Sequence, residues 1–230
     1  MDGREMGGFA PDLDAWDAWR PEEVAARLVG VDVPWCVVGG WALDLFLGGQ
    51  RREHGDLEIA VPADRFEPVA EALPELEFFI VGSGMTWPPA GNPALFREHR
   101  QTWGRDRATA LWRVDVMREP HQGETWIARR DARIRMPYAD LILWTDSGIP
   151  FARPEVILFF KAFQSSPHSL KRRHVGSCPS DASVSVSPAR PKDEDDFAAV
   201  LPALSPEARR WLREALALVH PGHMWLGELS

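Results

Sequence analysis

The chain has 230 residues, with 34 Asp and Glu against 26 Lys and Arg and a formal net charge of −8. That length supports one large domain or two small ones, and the acidic balance argues against loose, sequence-blind binding to nucleic acid, which needs a basic footprint. Two cysteines, Cys36 and Cys178, make no disulfide framework, no apolar run approaches the ~20 residues that span a bilayer, and Met1–Met6 lacks a signal-peptide core, so a reducing, cytoplasmic setting without a membrane partner is expected.

In chain order, the first twenty residues are rich in Gly and Asp and read as frayed. Pro21 to Leu28 opens with Pro and acids, as a helix N-terminus does. Trp35 to Val38 is a short apolar run stopped by Gly39-Gly40, which reads as a buried strand entering a tight turn. A short helix follows over Trp41–Leu47. Leu57 to Val61 alternates like a strand, and Asp64 is placed to cap a helix over Arg65–Leu73. Phe78–Val81 and Ala110–Met117 are further strands, with residues 82–107 between them read as loop and site wall.

The last third reads as helical, over Glu155–Phe163, Asp193–Leu201 and Pro206–Leu218. Between the first two of these lies a Ser- and Pro-rich insert, 164–189, with no usable periodicity, which reads as disordered. The expected organisation is a catalytic domain over residues 1–150 and a helical region over 151–230. Alternating strands and helices indicate an α/β core.

Chemistry concentrates in two adjacent stretches, Gly39-Gly40-Trp41-Ala42-Leu43-Asp44 and Arg51-Arg52-Glu53-His54-Gly55-Asp56-Leu57-Glu58. A glycine pair between strand and helix exposes backbone N–H groups beside a positive helix end, which suits a phosphate. Asp56 and Glu58 are two apart, so on a strand they share a face. Like charges held together repel, and a hard divalent cation relieves that. Asp115, on the opposite face of its strand from Val114 and Val116, supplies a third carboxylate. Three converging acids could hold two ions for an in-line phosphoryl displacement.

The order Gly-Gly-Trp-Ala-x-Asp, then Arg-x-His-x-Asp-x-Glu, resembles the polymerase-β-type nucleotidyltransferase superfamily, and within it the aminoglycoside 2''-adenylyltransferase-like group. The resemblance is strongest over Trp35–Leu73; the second acid is Glu58 where that group carries Asp, and the insert departs from the pattern. It implies an α/β (α+β) fold, a mixed sheet with flanking helices and a small helical C-terminal region, and it implies that Asp56 and Glu58 hold magnesium, two ions in all. Asp115 would be a further ligand or the base that accepts a hydroxyl proton. Gly39 and Gly40 would cradle the triphosphate of ATP, with Arg52, His54 and Lys161 reaching its oxygens. Asp44 would be a site-wall residue. The implied reaction moves AMP from ATP to a hydroxyl of a small cationic acceptor such as an aminoglycoside. Glu98, Asp106, Glu119 and Glu124 stand in the stretches expected to meet its ammonium groups. An antitoxin-like enzyme modifying a partner protein, or an inactive nucleotide-binding module, are the alternative readings.

Overall fold

In the computed structural model, residues 7–162 and 190–229 are described. The expected insert at 164–189 lies outside them. The chain divides into two compact units, Met1–Arg153 and Pro154–Ser230.

The first unit is built on an eight-stranded mixed sheet. Its strands are β1 (Cys36–Val37), β2 (Glu58–Pro62), β3 (Leu76–Gly82), β4 (Met85–Trp87), β5 (Gln101–Asp106), β6 (Trp112–Glu119), β10 (Ile142–Trp144) and β11 (Pro150–Ala152). They lie in the order β10-β11-β1-β2-β6-β5-β3-β4. A separate three-stranded sheet holds β7 (His121–Gln122), β8 (Thr125–Ile127) and β9 (Arg135–Pro137). At the centre, β2 and β6 run parallel, with Glu58 beside Asp115 and Ile59 beside Val116. On its other side β6 pairs antiparallel with β5, placing Trp103 opposite Asp115.

Alternation along the strands sorts the two faces. Ile59, Val61, Val114 and Val116 are fully enclosed on one of them. This face is covered by α3 (Glu67–Glu71) and α4 (Pro93–Glu98), through a cluster of Phe66, Phe78 and Phe96 rings. Arg118 is buried here too. Its guanidinium donates to Thr102 Oγ1 at 2.9 Å and to the carbonyls of Phe96 and His99, and it lies 3.4 Å from the centre of the Phe96 ring. A buried cation satisfied by carbonyls and an aromatic face pins α4 to the sheet. The expectation of loop over 82–107 is therefore corrected, because β4, α4 and β5 occupy most of it. Periodicity missed them because each element is short, with Pro and Gly between β4 and α4 and only His99-Arg100 between α4 and β5.

Two further expectations change. Asp64 does not cap α3, whose N-cap is Phe66 with no side-chain cap bond; Asp64 instead bonds His121 Nε2 at 2.5 Å. The N-terminal stretch is not frayed over residues 9–19. Phe9 bridges Thr86, and Trp16 bridges Trp112 next to where β2 begins to pair with β6. The amide of Trp112 donates to Ala15 O at 2.9 Å, and that of Trp19 to Arg113 O at 3.0 Å. This strap feeds into α1 (Pro21–Arg27). Its anchor is aromatic burial rather than local propensity, so polar composition alone hid it.

The second unit packs α6 (Pro154–Lys161), α7 (Pro191–Val200) and α8 (Pro206–Val219). Helix α6 is enclosed almost all round. Ser205 caps α8, accepting from the Ala208 amide at 3.2 Å, and Trp225 stacks on Phe197 with ring centres 4.1 Å apart. Among the described residues no helix is long and apolar enough to cross a membrane.

Candidate active site

The site starts at the end of β1. Helix α2 (Gly39–Phe46) begins on Gly39 itself, two residues before the expected start, with Gly39 at φ +65°. Only glycine adopts that conformation at no steric cost. The position is also crowded, since a β-carbon there would collide with the carboxylate of Glu58. At Gly40 a β-carbon would collide with the guanidinium of Arg52 and the imidazole of His54. The two glycines thus let an acid, an arginine and a histidine close over the first turn of a helix.

Asp44 fixes the loop that carries this roof. It is 1% exposed, on the inner side of α2 with Trp41. Its Oδ2 lies 2.7 Å from His54 Nε2 and accepts from the Arg51 amide at 3.1 Å, and its Oδ1 lies 3.2 Å from Arg51 Nε. The His54 ring packs against Trp41 at 4.5 Å. A carboxylate on one ring nitrogen sets the orientation of the imidazole and leaves the other nitrogen turned towards Gly40. The sequence places Asp44 only as wall; its anchoring of residues 51–54 depends on a tertiary contact.

Glu58 and Asp115 form the acidic centre, side by side on β2 and β6. Asp115 is 3% exposed. Its Oδ2 accepts a 2.5 Å hydrogen bond from Gln101 Nε2, while its Oδ1 is enclosed with no hydrogen-bond partner. Burial first, and then the negative charge of Glu58, push the Asp115 carboxyl well above the ordinary carboxylate range; the Gln101 bond and then the Trp103 side chain pull the other way, and Asp56 adds a smaller upward push. A buried acid with an orphaned oxygen beside another acid is an unsatisfied arrangement that a cation resolves.

The expected convergence of three acids is only partly formed. Among the described residues no group of three or more His, Cys, Asp or Glu side chains is arranged to hold an ion. Asp56 is exposed in the irregular stretch ahead of β2. The rule that residues two apart share a face holds only inside a strand, and Asp56 stands outside it. The donor set nonetheless fits a hard divalent cation. It is all carboxylate oxygen, with one oxygen waiting in a buried position.

Lys161 lies in the second unit. It is buried, with Nζ 3.0 Å from Asp193 Oδ1 and 2.9 Å from Asp196 Oδ2. The acids expected to meet an acceptor are also engaged. Asp106 Oδ1 accepts from the amides of Ala108 and Thr109, Glu119 is buried against Arg129, and Glu124 pairs with Arg65. Glu98 remains on the exposed side of α4. Sequence reasoning missed Gln101 and Trp103, which flank Asp115 from β5; Gln101-Thr102-Trp103-Gly104 has no apolar alternation to mark the strand.

A parallel acid pair on the central strands is faced by a Gly-Gly turn that opens a helix. Residues 22–83 match the family model of aminoglycoside-2''-adenylyltransferase. The antibiotic-resistance factor ANT(2'')-Ia in solution is similar in structure, with 15% identity and a TM-score of 0.50, over 88% of this chain and 94% of that one. ANT(2'')-Ia in complex with adenylyl-2''-tobramycin matches at 13% identity and TM-score 0.49, over 86% and 95%. The lincosamide antibiotic adenylyltransferase LnuA, lincomycin-bound, matches at 17% and 0.43, over 65% and 91%. The comparison with curated proteins gave no match. The resemblance carried by the glycine turn and the acid pair is borne out: the chain is similar to the aminoglycoside 2''-adenylyltransferase-like group, and it has the mixed-sheet nucleotidyltransferase fold.

Proposed function

We propose that the protein transfers AMP from ATP to a hydroxyl group of a small cationic acceptor, with a divalent cation at Glu58 and Asp115. The carrying observation is Asp115, buried beside Glu58 with one oxygen unsatisfied, while Glu58 itself packs against the glycine turn that opens α2.

In this reading the triphosphate lies over the first turn of α2, where the amides behind Gly39 and Gly40 meet it. Arg52 and His54, held over Gly40 by the Asp44 anchor, contact its oxygens. Glu58 and Asp115 would hold the metal, with Asp56 at the rim; once bound, magnesium supplies charge neutralisation at the α-phosphate. The acceptor oxygen attacks the α-phosphorus, the bond to the bridging oxygen of the β-phosphate breaks, and pyrophosphate leaves. The hydroxyl proton passes to Asp115. Catalysis is then positioning and electrostatics rather than covalent chemistry.

The test is to incubate the protein with magnesium and α-labelled ATP against a panel of aminoglycosides. The wild-type chain is expected to label at least one. Asp115→Asn and Asp56→Ala should each lower transfer by roughly 10²-fold or more while leaving the circular dichroism spectrum unchanged. Full transfer by Asp115→Asn would remove the acid pair from the mechanism.

A further inference from the structure

We propose that Trp103 and Trp16 form the shelf on which the acceptor lies, and that this shelf selects an amine-bearing sugar ring. The inference rests on the transferase reading above and assigns the acceptor side of the same site. Asp115 has two neighbours across the sheet: Glu58 on β2 and Trp103 on β5. The glycine turn packs against Glu58, so the nucleotide approaches from that side. An acceptor hydroxyl that must reach Asp115 is left with the Trp103 side.

That side is aromatic and partly open. Trp103 stands edge-to-face with Trp16, ring centres 5.1 Å apart, and with Trp112 at 5.3 Å. The inner end of the cluster is filled. Trp112 is 2% exposed, Phe79 packs on it at 5.7 Å, and the Arg105 guanidinium, paired with Glu77, lies over both rings. Trp103 and Trp16 keep accessible surface. An indole face takes the C–H face of a sugar and attracts an adjacent ammonium through its quadrupole.

Charge agrees with that chemistry. The strap that carries Trp16 also presents exposed carboxylates at Asp12 and Asp14. Of the acids expected from the sequence to bind ammonium groups, Asp106 and Glu119 are held by internal partners, Glu124 pairs with Arg65 at the surface, and Glu98 is exposed on α4. The strap adds its own carboxylates beside Trp16, with Asp12 Oδ1 accepting from the Asp14 amide. The strap is an ordered part of the site because its backbone pairs with β6 at Trp112, three residues from Asp115.

The experiment titrates tobramycin calorimetrically into the wild type and into Trp103→Ala, Trp103→Phe and Trp16→Ala, with a non-hydrolysable ATP analogue titrated separately. Trp103→Ala and Trp16→Ala are expected to weaken tobramycin by about tenfold or more, with Trp103→Phe between them and wild type. The affinity for the analogue should be the same in all four, which also shows that each variant is folded. Wild-type tobramycin affinity in both alanine variants overturns the shelf, as does a wild type that binds the analogue but no tobramycin. Transfer of label from ATP to tobramycin separates the two readings. Transfer with an unchanged tobramycin KM in Trp103→Ala keeps the transferase and removes the shelf. Shelf-dependent tobramycin binding without transfer keeps the shelf and removes the transferase.

Discussion

At Gly39 a single backbone angle decides whether the site exists. The residue sits in the left-handed region and against the Glu58 carboxylate, so any side chain there is both strained and obstructed. Gly39→Ala is expected to cost about 1–2 kcal/mol from the backbone conformation alone, read as a lower denaturation midpoint. Displacement of Glu58 should lower transfer further than that loss of stability explains. Asp44 works at the same scale. It was legible as a wall residue, but its hold on His54 and Arg51 spans seven to ten positions and belongs to no local pattern.

Among the elements, the short ones were the hardest to read. Strand β2 announced itself by alternation, β3 and β6 by their apolar residues, α2 by the glycines that stop it, and α7 and α8 by composition and spacing. The stretch over 82–107 and the strap over 9–19 did not. Their order comes from Arg118 inside the sheet and from the Trp16, Trp103 and Trp112 cluster. In the second unit, Lys161 at the last turn of α6 binds Asp193 and Asp196 of α7 in a buried position. Removing Lys161 takes the buried cation from both acids, although Arg190 still pairs with Asp193. Lys161→Met is expected to destabilise the protein by roughly 3–5 kcal/mol, measured by chemical unfolding. A direct triphosphate contact would in addition raise the KM for ATP at temperatures where the variant stays folded.

The whole molecule places an acidic chain around a deeply buried, partly unsatisfied acid. Such a site is suboptimal for the empty protein and is stabilised by whatever it binds. Magnesium with a non-hydrolysable ATP analogue at about 100 times its Kd should stabilise the fold by roughly 2.7 kcal/mol. For a chain of this size that is a rise in Tm of about 5–10 °C. The shift should vanish in the Asp115→Asn and Glu58→Gln variants if the acid pair holds the cation, and calorimetric scans with and without chelator read it directly.

The sequence by itself determined the mixed sheet, the glycine turn and the identity of the acids, because these depend on residue type and on periods of two or 3.6 that neighbours along the chain impose. Tertiary structure alone decided which of those groups meet. Asp56 falls outside the strand, Glu58 and Asp115 become neighbours only through the parallel pairing of β2 and β6, and Gln101 and Trp103 arrive from a strand that short-range pattern did not reveal. A carboxylate's partner, burial and open oxygen are set by chain segments tens of residues away, and no local rule carries that information.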